Sequence, residues 1–89
     1  MIVAAAIKFG DVVCFVPRPG RHHHVVRACA DNGMPTPIGH GPGIVQGFIN
    51  HHGIFLNRME AALEVIECGQ PLRSASINMN LGLFSEDLW

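Results

Sequence analysis

Alternating and β-branched runs at the start of the chain predict an antiparallel hairpin. Residues 2–9 alternate loosely between apolar and polar positions, and residues 12–16 read Val-Val-Cys-Phe-Val. The Gly10-Asp11 pair between them is typical of a short hairpin turn. Pro17 and Pro19 then end the second strand, because proline has no amide proton to donate to a sheet.

The next apolar positions recur at helical intervals. They predict a helix from Arg21 to Asn32 with an apolar stripe formed by His22, Val25, Val26 and Cys29. Gly33 and Pro35 supply a stop signal for this helix, because glycine accepts the left-handed conformation and proline cannot continue the turn. Residues 34–43 are rich in proline and glycine, which indicates a loop.

The second half of the chain repeats the same order of signals. A third strand is predicted from Ile44 to Asn50 and a short fourth strand over Ile54–Leu56, with a His-His-Gly turn between them. A second helix is predicted from Arg58 to Cys68, since Asn57 and Glu60 have the spacing of a capping box. The side chains expected to bury this helix are Met59, Ala62, Leu63 and Ile66.

The element order ββα-ββα predicts an α+β fold in a single domain, residues 1–89. Two ββα units are expected to share one antiparallel sheet, with both helices packed on one face. The tail, residues 72–89, ends in the chain's single tryptophan and is expected to dock on a groove or on a neighbouring subunit. A short chain that is 48% hydrophobic and only 15% charged is also expected to be a homo-oligomer.

Composition and charge exclude several classes of protein. A net charge of -1 argues against coating a nucleic-acid polymer, and no apolar run reaches the roughly 20 residues that a membrane-spanning helix needs. The apolar start has no basic residue ahead of it and therefore does not resemble a secretion signal. Three cysteines without a Cys-x-x-Cys pair indicate free thiols in a reducing compartment, the cytoplasm.

Positive charge is concentrated where the first helix is expected to begin. The segment Arg18-Pro19-Gly20-Arg21-His22-His23-His24 combines two guanidinium groups with the free amides of a helix N-terminus, which favour an anion such as phosphate. The functional interpretation is a phosphate or nucleotide contact. The structural alternative is a solvated helix start with His22 packed into the core.

A second group of residues suits a flat ligand. Gln46 and Phe48 flank Gly47 in the predicted third strand, and Asn57, Arg58 and Arg73 follow later. A phenylalanine and an arginine can hold a base between them by stacking and cation–π attraction, and we expect Phe48 and Arg73 to do so. The structural alternative is that Phe48 is a core residue, the more common role of a strand phenylalanine.

No recognisable catalytic or metal motif accompanies these groups. Six histidines are present, but consecutive histidines on a helix point in different directions, and neither a His-Glu-x-x-His nor a nucleophile-plus-base pattern occurs. We therefore expect no metal, no cofactor and no enzymatic activity. A small phosphodiesterase that uses two histidines as acid and base remains an alternative, as does an inhibitor that binds a protein.

The ordered set of short motifs resembles the first family of Thoeris anti-defence proteins, small phage-encoded "sponges". The resemblance covers nearly the whole chain and is carried by Pro17–His23, Gln46–Phe48, Arg58–Ala61, Gly69-Gln70 and Ser85–Trp89. The sequence departs from the family pattern at His24, where an acidic residue is expected, and at Asn50-His51-His52, where small polar residues are more usual.

This resemblance implies a function, an assembly and a set of ligand residues. It implies sequestration of cyclic ADP-ribose-type immune signals such as gcADPR, and of cyclic oligonucleotides in some members, in the cytoplasm of the infected host, without degradation. It further implies homodimers or hexamers. The positions expected to contact the ligand, from the residues and the resemblance together, are Arg18, Arg21, His22, His23, Gln46, Phe48, Asn57, Arg58 and Arg73.

Overall fold

Four antiparallel strands form one sheet in the computed structural model, which describes residues 1–31, 43–74, 77–78 and 80–89. The strand order is β2-β1-β3-β4, and every neighbouring pair is antiparallel. The elements are β1 Ile2–Phe9, β2 Val12–Pro17, α1 His22–Asp31, β3 Ile44–Asn50, β4 Phe55–Asn57, α2 Arg58–Cys68 and α3 Ser85–Leu88. The predicted ββα-ββα order is confirmed, with α3 as an addition. The predicted stop at Gly33 and Pro35, and all but the last residue of the predicted loop, lie outside the described residues.

A bulge in the central strand brings its first residue to the helix-covered face. Ile2 pairs with Asn50 and Ala4 pairs with Ile49, so the register between β1 and β3 shifts by one residue at Val3. Side chains alternate between the two faces of a regular strand, and the extra residue reverses that alternation. Ile2 therefore lies on the same face as Ala5, although an odd number of positions separates them.

Both long helices pack on this one face of the sheet, as predicted. Beneath α1 a core cluster contains Ala5, Ile7, Val25 and Cys29, and beneath α2 a second cluster contains Ile2, Phe48, Ala61, Ala62, Val65 and Leu83. Ala5 and Phe48 are directly paired across β1 and β3, so the two clusters lie side by side on the same face.

The predicted buried stripe of α2 is wrong at three of its four positions. Met59, Leu63 and Ile66 are exposed, at 43%, 54% and 57%, whereas the buried residues of the helix are Ala61, Ala62 and Val65. Asn57 is both the last residue of β4 and the N-cap of α2, so the strand fixes the rotation at which the helix begins. That rotation turns the small alanine side chains toward the sheet and leaves the larger residues outside.

The opposite face of the sheet, here called the outer face, is also apolar. Phe15 and Val45 are exposed at 56% and 42%. The two inner strands, β1 and β3, contribute the small residues Ala4, Ala6 and Gly47 to this face. Lys8 is the only charged residue in the four described strands, and its Nζ lies 5.9 Å from the Phe55 ring centroid. The face thus carries little charge that would oppose its burial.

The C-terminal tail crosses back over its own chain and covers the region between the two helices. The Leu83 amide donates to the Arg58 carbonyl at 3.0 Å, the Arg73 amide donates to the Asp87 carbonyl at 2.7 Å, and the Leu83 side chain is fully buried. At the end of the chain, Trp89 Nε1 donates to the Gly20 carbonyl at 2.8 Å. The tail thus docks on its own domain; the predicted docking on a neighbouring subunit concerns an assembly and stays a prediction.

Candidate functional site: a cationic cluster beneath the C-terminal tail

The structure brings several of the predicted ligand residues into one cluster at the start of α1. This cationic cluster consists of Arg21 and His22 at the start of α1, Gln46 on β3 and Arg58 at the start of α2. The residues are far apart in the sequence and meet because both helices cover the same face of the sheet, α1 over β1 and β2 and α2 over β3 and β4. The tail, including Phe84 and Glu86, lies against them.

Arg58 is the centre of this cluster. Its Nη1 donates to the Leu83 carbonyl at 2.7 Å and its Nη2 donates to Gln46 Oε1. The guanidinium carbon lies 4.2 Å from the centroid of the Phe84 ring, a cation–π geometry. Burial lowers the pKa of Arg58 from its usual value, and the carboxylates of Glu86 and Asp87 offset part of that shift. The side chain remains a cation at neutral pH, since an arginine pKa starts far above 7.

Arg21 is paired with the tail only through a loose ion pair. Its Nη1 lies 3.6 Å from Glu86 Oε1, while the Glu86 side chain is 65% exposed. The Nη1 atom is itself buried and has no hydrogen-bond acceptor among the described residues. A buried donor without a partner carries a free-energy cost of about 1–3 kcal/mol. The cluster therefore contains one guanidinium, that of Arg21, with an unused donor. The exposed carboxylate of Glu86 beside it makes only a loose ion pair.

His22 is held as a neutral side chain at the bottom of the cluster. Its Nε2 lies 2.8 Å from the Gly47 carbonyl, and its ring meets the Phe48 ring edge-on with 5.0 Å between centroids. Burial lowers the pKa of His22, the bond to the Gly47 carbonyl offsets part of this shift, and the nearby Arg58 lowers it further. Since a carbonyl only accepts, the neutral ring carries its proton on Nε2 and donates it to Gly47.

Phe48 lies in the core rather than on the surface of the cluster. Its side chain is fully buried among Ile2, Val65 and Leu83. In this conformation neither face of the ring is open to a base. Phe48 is therefore a core residue here, which is the structural alternative given in the sequence analysis. The predicted sandwich with Arg73 would require the tail to uncover the ring, and it stays a prediction.

The other predicted ligand residues lie around the cluster or away from it. Asn57 is next to Arg58, but its side chain accepts the Glu60 amide at 2.8 Å as the cap of α2. Arg73 is exposed where the tail crosses the domain, with its amide bonded to Asp87. Arg18 and His23 are exposed, and the His23 ring lies against the His24 ring with 4.0 Å between centroids and a tilt of 47° between the ring planes.

A family model for the phage T4 y16D protein matches residues 1–89 of the chain. The chain belongs to the phage T4 y16D protein family. No curated protein and no solved structure matches it. Membership in this phage family confirms the viral origin that the motif resemblance implied.

The tail residues of this phage protein are the part of the cluster that sequence reasoning missed. Phe84 stacks on Arg58, Glu86 faces Arg21, and Asp87 holds the tail in shape by accepting from Ser74 Oγ at 2.8 Å and from the Phe84 amide at 2.9 Å. A signal was present in the sequence, since a run of two acidic residues before the single tryptophan suits docking on a cationic surface. What the sequence did not show was which cationic surface that was.

The described residues form neither a cluster of metal-ligating side chains nor a membrane-spanning helix. Among the described residues, no group of three or more histidine, cysteine, aspartate or glutamate side chains is arranged to hold a metal ion. Within the same part of the chain, no helix is both long and apolar enough to cross a bilayer.

Proposed function

We propose that this phage protein binds and sequesters an anionic cyclic nucleotide of the cyclic ADP-ribose class, without cleaving it, in the cytoplasm of the infected host. The observation that carries the proposal is that two arginines lie against the same tail segment, Arg21 beside Glu86 and Arg58 on the Phe84 ring, with a buried Arg21 donor left without an acceptor among the described residues. The motif resemblance supports the choice of ligand class. Sequestration of the signal would keep the host defence that depends on it inactive.

The cluster offers the groups that a nucleotide phosphate requires. Guanidinium groups form charge-assisted, often bidentate hydrogen bonds to phosphate, and Arg21 and Arg58 supply two of them from different helices. The Arg58–Phe84 pair adds a flat cation and an aromatic ring suited to a base. In the free protein Glu86 occupies the place of the anion, and we propose that the ligand phosphate displaces its carboxylate.

The state of His22 supports binding over turnover. Acid–base cleavage of a phosphodiester needs a histidine that can accept and donate protons near neutral pH. The His22 ring is largely buried, its pKa is lowered, and its Nε2 proton is committed to the Gly47 carbonyl. The phosphodiesterase alternative would therefore depend on the exposed histidines, such as His23 and His24, which face solvent.

Calorimetric titration with a cyclic ADP-ribose, followed by heating and chromatography of the released ligand, tests this proposal. We expect tight binding and release of intact ligand. Arg21→Ala should weaken binding about tenfold or more, since a hydrogen bond to a charged group contributes about 1.5–3 kcal/mol. Arg27→Ala is the matched control, because Arg27 is an exposed arginine within α1, the helix that Arg21 directly precedes.

Three other results would contradict the proposal. Release of a cleaved product would favour the phosphodiesterase, and binding of a host protein without any nucleotide would favour the protein-binding inhibitor. Equal affinity of folded Arg21→Ala and wild-type protein would place the ligand elsewhere.

Glu86→Gln should strengthen binding by up to about fivefold, matching the roughly 0–1 kcal/mol of an exposed ion pair. Weaker binding of this variant would show that Glu86 does not compete with the ligand.

We also propose that the protein self-associates, with the exposed stripe of α2 on one copy packed against the outer face of another. Met59, Leu63 and Ile66 form that stripe at helical spacing, and the flanking Glu60 and Glu67 are exposed. Pairing two α2 stripes with each other would bring these acidic residues together. The outer face carries apolar side chains and one lysine, Lys8, so it complements the stripe in both hydrophobicity and charge.

Light scattering on paired variants tests this assembly. Leu63→Glu on the α2 stripe and Phe15→Glu on the outer face should each give a monomer, because both surfaces are used in one contact. The exposed Arg27→Ala variant should retain the wild-type mass. A monomeric wild-type protein at micromolar concentration would overturn the proposal, and loss of assembly in Phe15→Glu alone would indicate pairing of two outer faces instead.

A further inference from the structure

Two of the three cysteines meet where α1 packs on the edge strand β2. Cys14 lies on β2 and is partly exposed, while Cys29 lies on α1 and is 1% exposed. Cys14 packs against the buried cluster that contains Cys29, and its thiol contributes to the raised pKa of Cys29. The third cysteine, Cys68, lies at the end of α2 and is exposed. The chain therefore contains one thiol pair in contact and one separate thiol.

A partly open cavity reaches this thiol pair from the surface. Its volume is about 220 Å³, and it is lined by Val13, Cys14, Phe15, Ala28 and Cys29. Apart from the two sulfur atoms, the lining side chains are apolar. The cavity is large enough to admit a small molecule such as a peroxide, which needs little more space than a few water molecules.

We propose that Cys14 and Cys29 form a reversible disulfide when the protein meets a peroxide. The Cys14 sulfur, the more accessible of the two, attacks one oxygen of hydrogen peroxide. The O–O bond breaks, Cys14 becomes a sulfenic acid, and the second oxygen leaves as water with the thiol proton. The Cys29 sulfur then attacks the Cys14 sulfur, the S–O bond breaks, and the departing hydroxyl leaves as a second water with the Cys29 thiol proton. In sum, two thiols are oxidised and one peroxide is reduced to two water molecules.

The environments of the two cysteines assign these roles. Burial and the neighbouring Cys14 thiol raise the pKa of Cys29 to about 12, so Cys29 remains a protonated thiol at neutral pH. A thiol buried in this way does not meet the oxidant first but is already in contact with the sulfur it must attack. Disulfides in reducing compartments are typically transient or regulatory, and reduction by glutathione or thioredoxin would restore the pair.

The disulfide would tie α1 covalently to the edge of the sheet. α1 begins with His22 of the cationic cluster, so the bond would fix the helix that carries part of the proposed ligand site. This link to the site depends on the proposed function, whereas formation of the disulfide does not. The two are therefore tested by separate measurements.

Thiol counting and peptide mapping after treatment of the folded protein with hydrogen peroxide test the proposal. We expect the number of free thiols to fall from three to one, with a cross-linked peptide pair that contains Cys14 and Cys29. Cys68→Ser should form the same cross-link and retain no free thiol. Cys14→Ser and Cys29→Ser should each lose it, and dithiothreitol should reverse it in wild-type protein.

Mapping of the wild-type protein decides the question even if a variant fails to fold. A protein that keeps Cys14 and Cys29 as thiols while Cys68 oxidises would overturn the proposal. So would a dominant cross-link that involves Cys68, or oxidation of Cys14 to sulfinic acid without a cross-link. Unchanged nucleotide affinity of the oxidised form would leave the disulfide intact as a finding and would remove only its link to the ligand site.

Discussion

The two long helices begin in different ways. α2 begins at Asn57, whose side chain accepts the Glu60 amide at 2.8 Å while Glu60 Oε1 accepts the Asn57 amide at 2.9 Å. α1 has no acidic residue in its first turn. Its start has one local side-chain bond, from the Arg21 amide to His24 Nδ1 at 2.9 Å. It also has contacts from distant residues: Trp89 on the Gly20 carbonyl, Glu86 near Arg21, and the Gly47 carbonyl on His22.

This difference separates a helix start whose carboxylate comes from its own first turn from one whose carboxylate comes from the distant tail. A helix N-terminus has a partial positive charge that disfavours cations by about 0.3–1 kcal/mol each. Glu60 complements that charge at α2, whereas α1 places Arg21 next to it and the tail must supply the carboxylate. The arrangement that makes α1 unfavourable by itself is also the one that suits an anionic ligand.

The largest effect on stability is expected at Phe48, a core residue that contacts both long helices. Phe48→Ala should lower the free energy of unfolding by about 3–5 kcal/mol, because the ring is fully buried beneath α2 and contacts His22 of α1. Phe48→Leu should cost less, since more of the volume is kept. Denaturant unfolding checks this, and a loss below about 1 kcal/mol for Phe48→Ala would show that the ring is not part of the core.

Removal of the local cap should affect α2 alone. Asn57→Ala should lower the free energy of unfolding by about 0.5–2 kcal/mol, the usual cost of losing an N-cap side chain. Asn57→Asp is the matched control, because aspartate caps equally well. Hydrogen exchange should show faster exchange at the Glu60 amide and no change in the first turn of α1. Equal changes in both helices would contradict the local character of the α2 start.

Removal of the indole N–H donor of Trp89 should affect the start of α1 and leave α2 unchanged. Trp89→Phe keeps an aromatic ring but loses the hydrogen bond to the Gly20 carbonyl, so we expect a loss of about 1 kcal/mol. Exchange should become faster at the start of α1 and remain unchanged within Arg58–Cys68. Unchanged exchange at α1 would show that the tail does not support that helix.

The smallest effect expected is a dependence of stability on pH through His22. Because burial lowers its pKa below the ordinary value of 6.5, the unfolded chain binds more protons than the folded chain as the pH falls below that value. The contribution to stability is complete above about pH 6.5 and is lost as the pH falls toward the lowered pKa of the folded state. Denaturant unfolding between pH 7 and pH 5 checks this direction. His22→Gln should flatten the dependence, whereas His23→Gln, at an exposed position, should retain it.

The sequence predicted the elements well where the signals were local. The boundaries of β1, β3 and α2 agree with the structure, and the Asn57–Glu60 capping box and the left-handed Gly69 after α2 are both present. These features depend on residues within one turn of each other. The buried face of α2 was not predicted because its rotation is set by the strand that precedes it, which periodicity alone does not report.

The candidate site was predicted only in part, because residue types are visible in the sequence whereas contacts between distant segments are not. Arg21, His22, Gln46 and Arg58 were identified by residue type, and the fold brings them together. Phe48 has the residue type of a stacking platform, but strand pairing and the tail bury it. Phe84 and Glu86 belong to the site only because the chain folds back over α1 and α2, a contact across more than twenty residues that no local pattern encodes.

By itself the sequence determined the order of the four strands and the two long helices, the cap and stop of α2, and the presence of positive charge at the start of α1. These follow from backbone preferences and short-range hydrogen bonds. Only the tertiary structure decided which arginine has an unused donor, that burial lowers the pKa of His22, and which carboxylate faces the cations. Those properties depend on burial and on distances between segments, because desolvation and Coulomb interactions are set by what surrounds a group in space rather than by its neighbours in the chain.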